Sequence, residues 1–116
     1  MYALCEYPHV FGGAACISTH WTGFTDVSDT RPYSTAFVNY FKDHLPDAHS
    51  HKLYFDHGTI GLDASYSNSQ KQIDRVLQDA GWSSYEWNTR VFEGDDHSEN
   101  SWKKRLAIPL TFLLGY

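Results

Sequence analysis

Apolar residues in this chain recur with two different spacings, and the two alternate along it. Residues 14–18 (AACIS) form a short continuous apolar run, the pattern of a strand buried on both faces in a parallel sheet. Over residues 34–45, Phe37, Tyr40, Phe41 and Leu45 fall at i, i+3, i+4 and i+8, one stripe of a helix that Pro46 ends. Residues 51–57 (HKLYFDH) read as a second strand centred on Leu53, Tyr54 and Phe55 and closed by Gly58. Ser67-Asn68-Ser69-Gln70 has the capping-box form, Ile73, Val76, Leu77 and Ala80 follow as one apolar stripe, and Gly81 suits a helix C-terminus. Residues 85–92 predict a third strand. From Ser98, a candidate N-cap, Trp102, Leu106, Pro109, Leu110 and Leu113 recur at helical spacing, and Pro109 predicts a kink or a split.

Residues 1–7 (MYALCEY) have no preceding cap and are stopped by Pro8, so they read as the last turns of a helix whose start is missing. The order is then partial helix, strand, helix, strand, helix, strand, helix. That alternation implies an α/β fold with three parallel strands and flanking helices on both faces. At 116 residues the chain holds one domain at most. Residues 1–116 are read as the C-terminal part of a single domain.

Composition narrows the function. An apolar fraction of 41% with 20% charged residues suits a globular chain, and 16% aromatic residues suit a large-side-chain core or an aromatic-walled pocket. The net charge of -5 argues against nucleic acid as a partner, because Lys103-Lys104-Arg105 is the only cationic cluster and reads as a solvated helix face. No stretch is long and apolar enough to span a membrane, and no signal peptide is visible, which leaves the cytoplasm as the default location. Cys5 and Cys16 make neither a disulfide framework nor a zinc pattern and read as buried free thiols. His49 and His51 lack a nearby cysteine and read as a solvated turn and not a metal pair; no metal or organic cofactor is expected.

Ligands of open α/β sheets bind beyond the carboxyl ends of the strands. Three loops meet that condition here: Ser18-Thr19-His20-Trp21, residues 56–63, and Gly94-Asp95-Asp96-His97. The last presents a histidine between a strand and a helix. An imidazole used as a base needs a carboxylate that fixes its tautomer and stabilises the imidazolium. Asp63, in the adjoining loop, is favoured for that role, and Asp56 at the strand end is the rival. Ser18, His20 and Trp21 are the candidate substrate-side residues, although Trp21 equally suits packing of its loop onto the sheet. Trp102 and Arg105 suit locking the last helix so that His97 is held in place; Asp95, Asp96 and Glu99 suit solvent or loop-orienting roles, and His57 a structural one.

These residues carry a resemblance. YPHVFGGAACISTHW, KLYFDHGTIGLD and FEGDDHSENSWKKRL with PLTFLLG resemble the C-terminal half of the putative-esterase branch of the α/β-hydrolases, the group of esterase D and the enterochelin-esterase-like enzymes. The likeness covers nearly the whole chain, and its most specific part is G-x-x-H-S-E-x-x-W-x-x-R-L at residues 94–106. It implies that His97 is the catalytic base and Asp63 the acid of a serine-esterase triad. It implies as substrates carboxylic esters, from small acyl esters to sugar-linked or siderophore esters.

The sequence departs from that family at its nucleophile. No G-x-S-x-G elbow occurs, and Ser18 lacks the flanking glycines that let such a turn form. The missing serine is expected shortly before Met1, which would leave the isolated chain inactive. The alternative is a catalytically incompetent binding or interaction module. Both readings expect the first strand to be an exposed edge that favours a homo-oligomer or a complementing N-terminal segment. A nucleotide-binding module is disfavoured, because Gly12-Gly13 precedes a strand instead of opening a helix.

Overall fold

The computed structural model describes residues 1–21 and 31–115. Gly23 and Asp26 of the first long connection lie outside the described residues. Helix α1 spans Tyr2–Glu6, strand β1 Gly13–Ile17 and helix α2 Arg31–His44. Strand β2 (Lys52–Gly58), helix α3 (Ser67–Asp79) and strand β3 (Trp87–Phe92) follow. Two short helices close the chain, α4 (Glu99–Arg105) and α5 (Ala107–Leu114). Short 3-10 turns precede and follow β2, at Ala48–Ser50 and Gly61–Ser65.

The three strands form one parallel sheet in the order β1-β2-β3. Cys16 pairs with Phe55 and Ile17 with Asp56, while Phe55 faces Thr89 and Gly58 faces Phe92. All three carboxyl ends therefore reach one edge. The central strand is buried from Leu53 through Gly58, as its unbroken run of large side chains requires in a parallel sheet.

Alternate residues of β2 serve opposite faces. Leu53 and Phe55 join Phe41 of α2 and Ile73 and Leu77 of α3 in one core, all at 0% exposure, with Leu4 and Cys5 of α1 beside them. Each such aliphatic or aromatic side chain contributes about 1.5–3 kcal/mol relative to exposure. On the other face, α5 packs on β1 and β2, and Phe112 meets Tyr54 with ring centroids 6.3 Å apart. Helices thus cover both faces of the sheet.

Helix α3 ends as Gly81 predicts. Gly81 takes φ +85°, and the amides of Gly81 and Trp82 donate to the carbonyls of Gln78 and Leu77, the paired bonds of a Schellman ending. Its start differs from expectation. Tyr66, not Ser67, is the N-cap, and no side chain caps the helix. The glutamine of the supposed capping box is buried instead, accepting from Trp21 Nε1 at 3.0 Å and donating to Asp74 at 2.8 Å.

Pro109 splits the last helix. The break falls at Leu106, three residues upstream, because a proline ring collides with the carbonyl four residues back and offers no N–H. The single apolar stripe expected there is broken with it. Pro109 is buried, while Leu106 and Leu110 stay exposed. β1 is the edge strand expected, but it is not buried on both faces: Ala15 is exposed and its other residues are half-buried.

Candidate active site

His97 sits in the loop between β3 and α4, and its position is built by local hydrogen bonds. Ser98 caps α4, its hydroxyl accepting from the Ser101 amide at 3.3 Å. The Ser98 and Ser101 hydroxyls both donate to Asp96 Oδ1, at 2.5 and 2.7 Å. Those two bonds, the Ser98 one first, hold the Asp96 carboxyl below its ordinary pKa. A turn fixed on both sides of His97 leaves the imidazole little freedom.

Asp63 arrives from the 3-10 turn after β2. Its Oδ1 lies 2.7 Å from His97 Nδ1, and the carboxylate is fully buried while the imidazole is 28% exposed. Asp63 Oδ2 accepts from the Gly58 amide and from Ser18 Oγ, each at 2.6 Å. Asp56, the rival acid, has other partners. It accepts from the Ser18 amide and from Arg105 Nη2 at 3.0 Å through Oδ1, and from the Tyr54 hydroxyl through Oδ2. Next to Asp56, burial pushes the Tyr54 phenol upward, with the carboxylate charge adding to it.

Arg105 knits the site from behind. It is 2% exposed, donates to Asp56, Asp95 and Ser18 Oγ, and lies 3.9 Å from Asp63. Its guanidinium also stands 4.9 Å from the centre of the Phe92 ring. The reading of Lys103-Lys104-Arg105 as one solvated face therefore fails at its third residue. Asp95 does not simply face solvent either, since Arg105 Nη1 donates to it at 3.0 Å. Trp102 and His97 stand edge to face with ring centroids 5.0 Å apart, and Trp102 Nε1 donates to Ser18 Oγ at 3.0 Å. Both residues anchor the His97 segment, as their positions in the sequence suggest.

The two loops that carry Asp63 and His97 are joined through their backbones. The amides of Thr59 and Ile60 both donate to the Asp95 carbonyl, at 2.9 and 3.1 Å, and the Gly94 amide donates to Thr59 Oγ1. This close approach requires glycine at position 58.

The three candidate substrate-side residues separate. His20 is exposed beside the pair, its ring centroid 6.4 Å from that of His97, and its Nδ1 lies 2.7 Å from the Tyr66 hydroxyl. Trp21 is 1% exposed and packs on Phe37 and Phe55, so the packing role applies and it walls no open surface. Ser18 is 3% exposed, with its hydroxyl bonded to Asp63, Trp102 and Arg105, which removes it from direct contact with a substrate and from service as a nucleophile. His57 is buried, with Nδ1 2.6 Å from the Gly58 carbonyl. His51 is no solvated turn residue: it is buried, with Nε2 2.8 Å from the Pro8 carbonyl.

Tyr66 is the site residue that sequence reasoning missed. Its ring is fully buried, and its hydroxyl stands between His20 and His97, 3.5 Å from His97 Nδ1. Burial, then the nearby Asp63 charge, pushes its phenol upward. No pattern marks it in the sequence, where it reads as the last residue of a loop.

No group of three or more metal-ligating side chains occurs among the described residues. A groove of about 710 Å³ opens between the ends of α2 and α3, lined in part by Lys42, Leu45, Arg75 and Trp82. It lies by the amino ends of β2 and β3, away from His97. No family model, curated protein or solved structure matches the chain.

Proposed function

We propose that this chain supplies the acid and histidine of a serine-esterase-type site of the α/β-hydrolase class, acting on carboxylic esters by acyl transfer. The observation that carries the reading is the 2.7 Å bond from His97 Nδ1 to a fully buried Asp63. A carboxylate so placed orients the ring, stabilises the imidazolium that forms, and leaves Nε2 to take the nucleophile's proton. The pair stands at the carboxyl edge of a parallel sheet, where such folds bind ligands. The resemblance of residues 94–106 to the putative-esterase branch supports the same assignment. The triad needs a nucleophilic serine other than Ser18, whose hydroxyl is committed elsewhere.

His97 Nε2 withdraws the serine proton as its oxygen attacks the ester carbonyl, then returns a proton to the leaving alcohol. The same nitrogen next activates water to release the acid. Asp63 remains a carboxylate throughout. Partly exposed, His97 can meet both an incoming oxygen and a substrate, whereas Asp63 cannot.

A second reading, an interaction module without catalysis, is favoured by the open edge of β1. One experiment separates the two. A strand–G-x-S-x-G–helix segment is fused ahead of Met1, and hydrolysis of p-nitrophenyl acetate is followed. The esterase reading expects turnover that falls about 10²- to 10⁴-fold in His97→Ala. Turnover absent, or unchanged in His97→Ala, in a folded fusion would favour the interaction module.

A further inference from the structure

Ser18 is the one described non-glycine residue with positive φ, at +47°. A left-handed backbone is unfavourable for a residue with a side chain, and such strain persists only where surrounding contacts enforce it. The contacts here are its amide to Asp56 and its hydroxyl to three partners.

Those three partners fix the direction of one proton. A hydroxyl has one hydrogen to give and two lone pairs to receive with. Trp102 Nε1 and Arg105 Nη2 can only donate, and they lie 3.0 and 2.8 Å from Ser18 Oγ. Both lone pairs are therefore occupied. The hydroxyl hydrogen has one acceptor left, Asp63 Oδ2 at 2.6 Å.

The consequence passes through the carboxylate. Asp63 Oδ2 receives the Ser18 hydroxyl and the Gly58 amide, which hold the carboxylate plane and turn Oδ1 toward His97. Oδ1 then needs a donor, so the neutral imidazole carries its hydrogen on Nδ1 and its lone pair on Nε2. We propose that Ser18 is a positioning residue: its buried hydroxyl, aimed by Trp102 and Arg105, orients Asp63 and so selects the tautomer of His97 in which Nε2 is the base. The catalytic meaning of this relay rests on the esterase reading; the tautomer does not.

Glycine is the informative replacement, because it accepts the positive φ and removes the hydroxymethyl group that carries the relay. The probe is the ¹⁵N and ¹H spectrum of the His97 ring in the 116-residue chain. The wild type is expected to show a single Nδ1–H form with a slowly exchanging proton. In Ser18→Gly, Asp63 Oδ2 loses the hydroxyl that helps fix the carboxylate plane and keeps only the Gly58 amide. The Nδ1 proton then exchanges about tenfold faster and an Nε2–H population appears, as expected when a charge-assisted bond in the relay is lost. In the fused esterase the same change lowers kcat about tenfold and leaves KM unchanged. A folded Ser18→Gly chain with the wild-type His97 spectrum and exchange rate overturns the proposal even if the esterase reading stands. Trp102→Phe keeps the ring against His97 and frees one lone pair on Ser18. It is expected to give a smaller acceleration of exchange, and an unchanged rate there overturns the proposal should Ser18→Gly fail to fold.

Discussion

A side-chain carbon on Gly58 would overlap the backbone carbonyl of Asp95. That carbonyl accepts from the amides of Thr59 and Ile60, so the end of β2, which leads into the turn carrying Asp63, and the loop carrying His97 approach as closely as two backbones allow. Gly58→Ala is expected to cost about 1–3 kcal/mol through this overlap. Chemical denaturation measures it. Gly12→Ala is the control, because a carbon there meets nothing within 4 Å, and it should be neutral within about 0.5 kcal/mol. Equal effects at the two positions would mean that the loops are not in contact.

Arg105 is the cation against which Asp56 and Asp95 are hydrogen-bonded. Arg105→Met leaves buried carboxylates without it and is expected to destabilise by about 3–5 kcal/mol. Arg105→Lys keeps the charge but has no fork to reach Asp56, Asp95 and Ser18 together. Its cost should be intermediate, and the Nε that lysine lacks has no partner to lose. A lysine variant as stable as the wild type in urea would show that the fork is unimportant.

Asp74 accepts from Gln70 and Thr89 at 2.8 Å through one oxygen, yet burial outweighs those bonds and raises its carboxyl above the ordinary range. A raised acid binds its proton more tightly in the folded than in the unfolded chain. Its contribution is thus most favourable below the unfolded pKa and is lost as pH rises through the folded one. Asp74→Asn retains an accepting oxygen without the buried charge. The variant should melt higher than the wild type at pH 7, with the advantage vanishing toward acid. A variant that melts lower at pH 7 would contradict the account.

Both cysteines are free, and burial raises both thiols, Cys5 to about 11. At pH 8 neither should react readily with a disulfide reagent while the chain is folded, and both should react in denaturant. Rapid reaction of Cys5 in the native protein would place that thiol outside the core, and rapid reaction of the half-buried Cys16 would show that β1 does not shield it.

The alternation of strand and helix was legible because each period is long and clean, as with Phe37, Tyr40 and Phe41 or Leu53 to Phe55. The split at Leu106 followed from Pro109. The partnership of Asp63 with His97 was legible too, since consecutive strands in a parallel sheet bring their following loops side by side. The network behind it was only partly so. The anchoring role of Arg105 was legible, but nothing in the run of cations around it points to its bonds with Asp56, Asp95 and Ser18. Tyr66 is brought to the histidines only by the fold of the 3-10 turn. Gln70 satisfies a capping pattern in sequence, but the buried Trp21 indole competes for it and wins.

We propose that Asp63 and His97 form the base of an esterase. This is tested most directly by the rate at which a fluorophosphonate labels the elbow serine in the fusion described above. That rate reports nucleophile activation without depending on the natural ester. Labelling should slow at least about a hundredfold in His97→Ala and strongly in Asp63→Asn. Labelling of a folded fusion at the same rate in all three proteins would contradict the proposal.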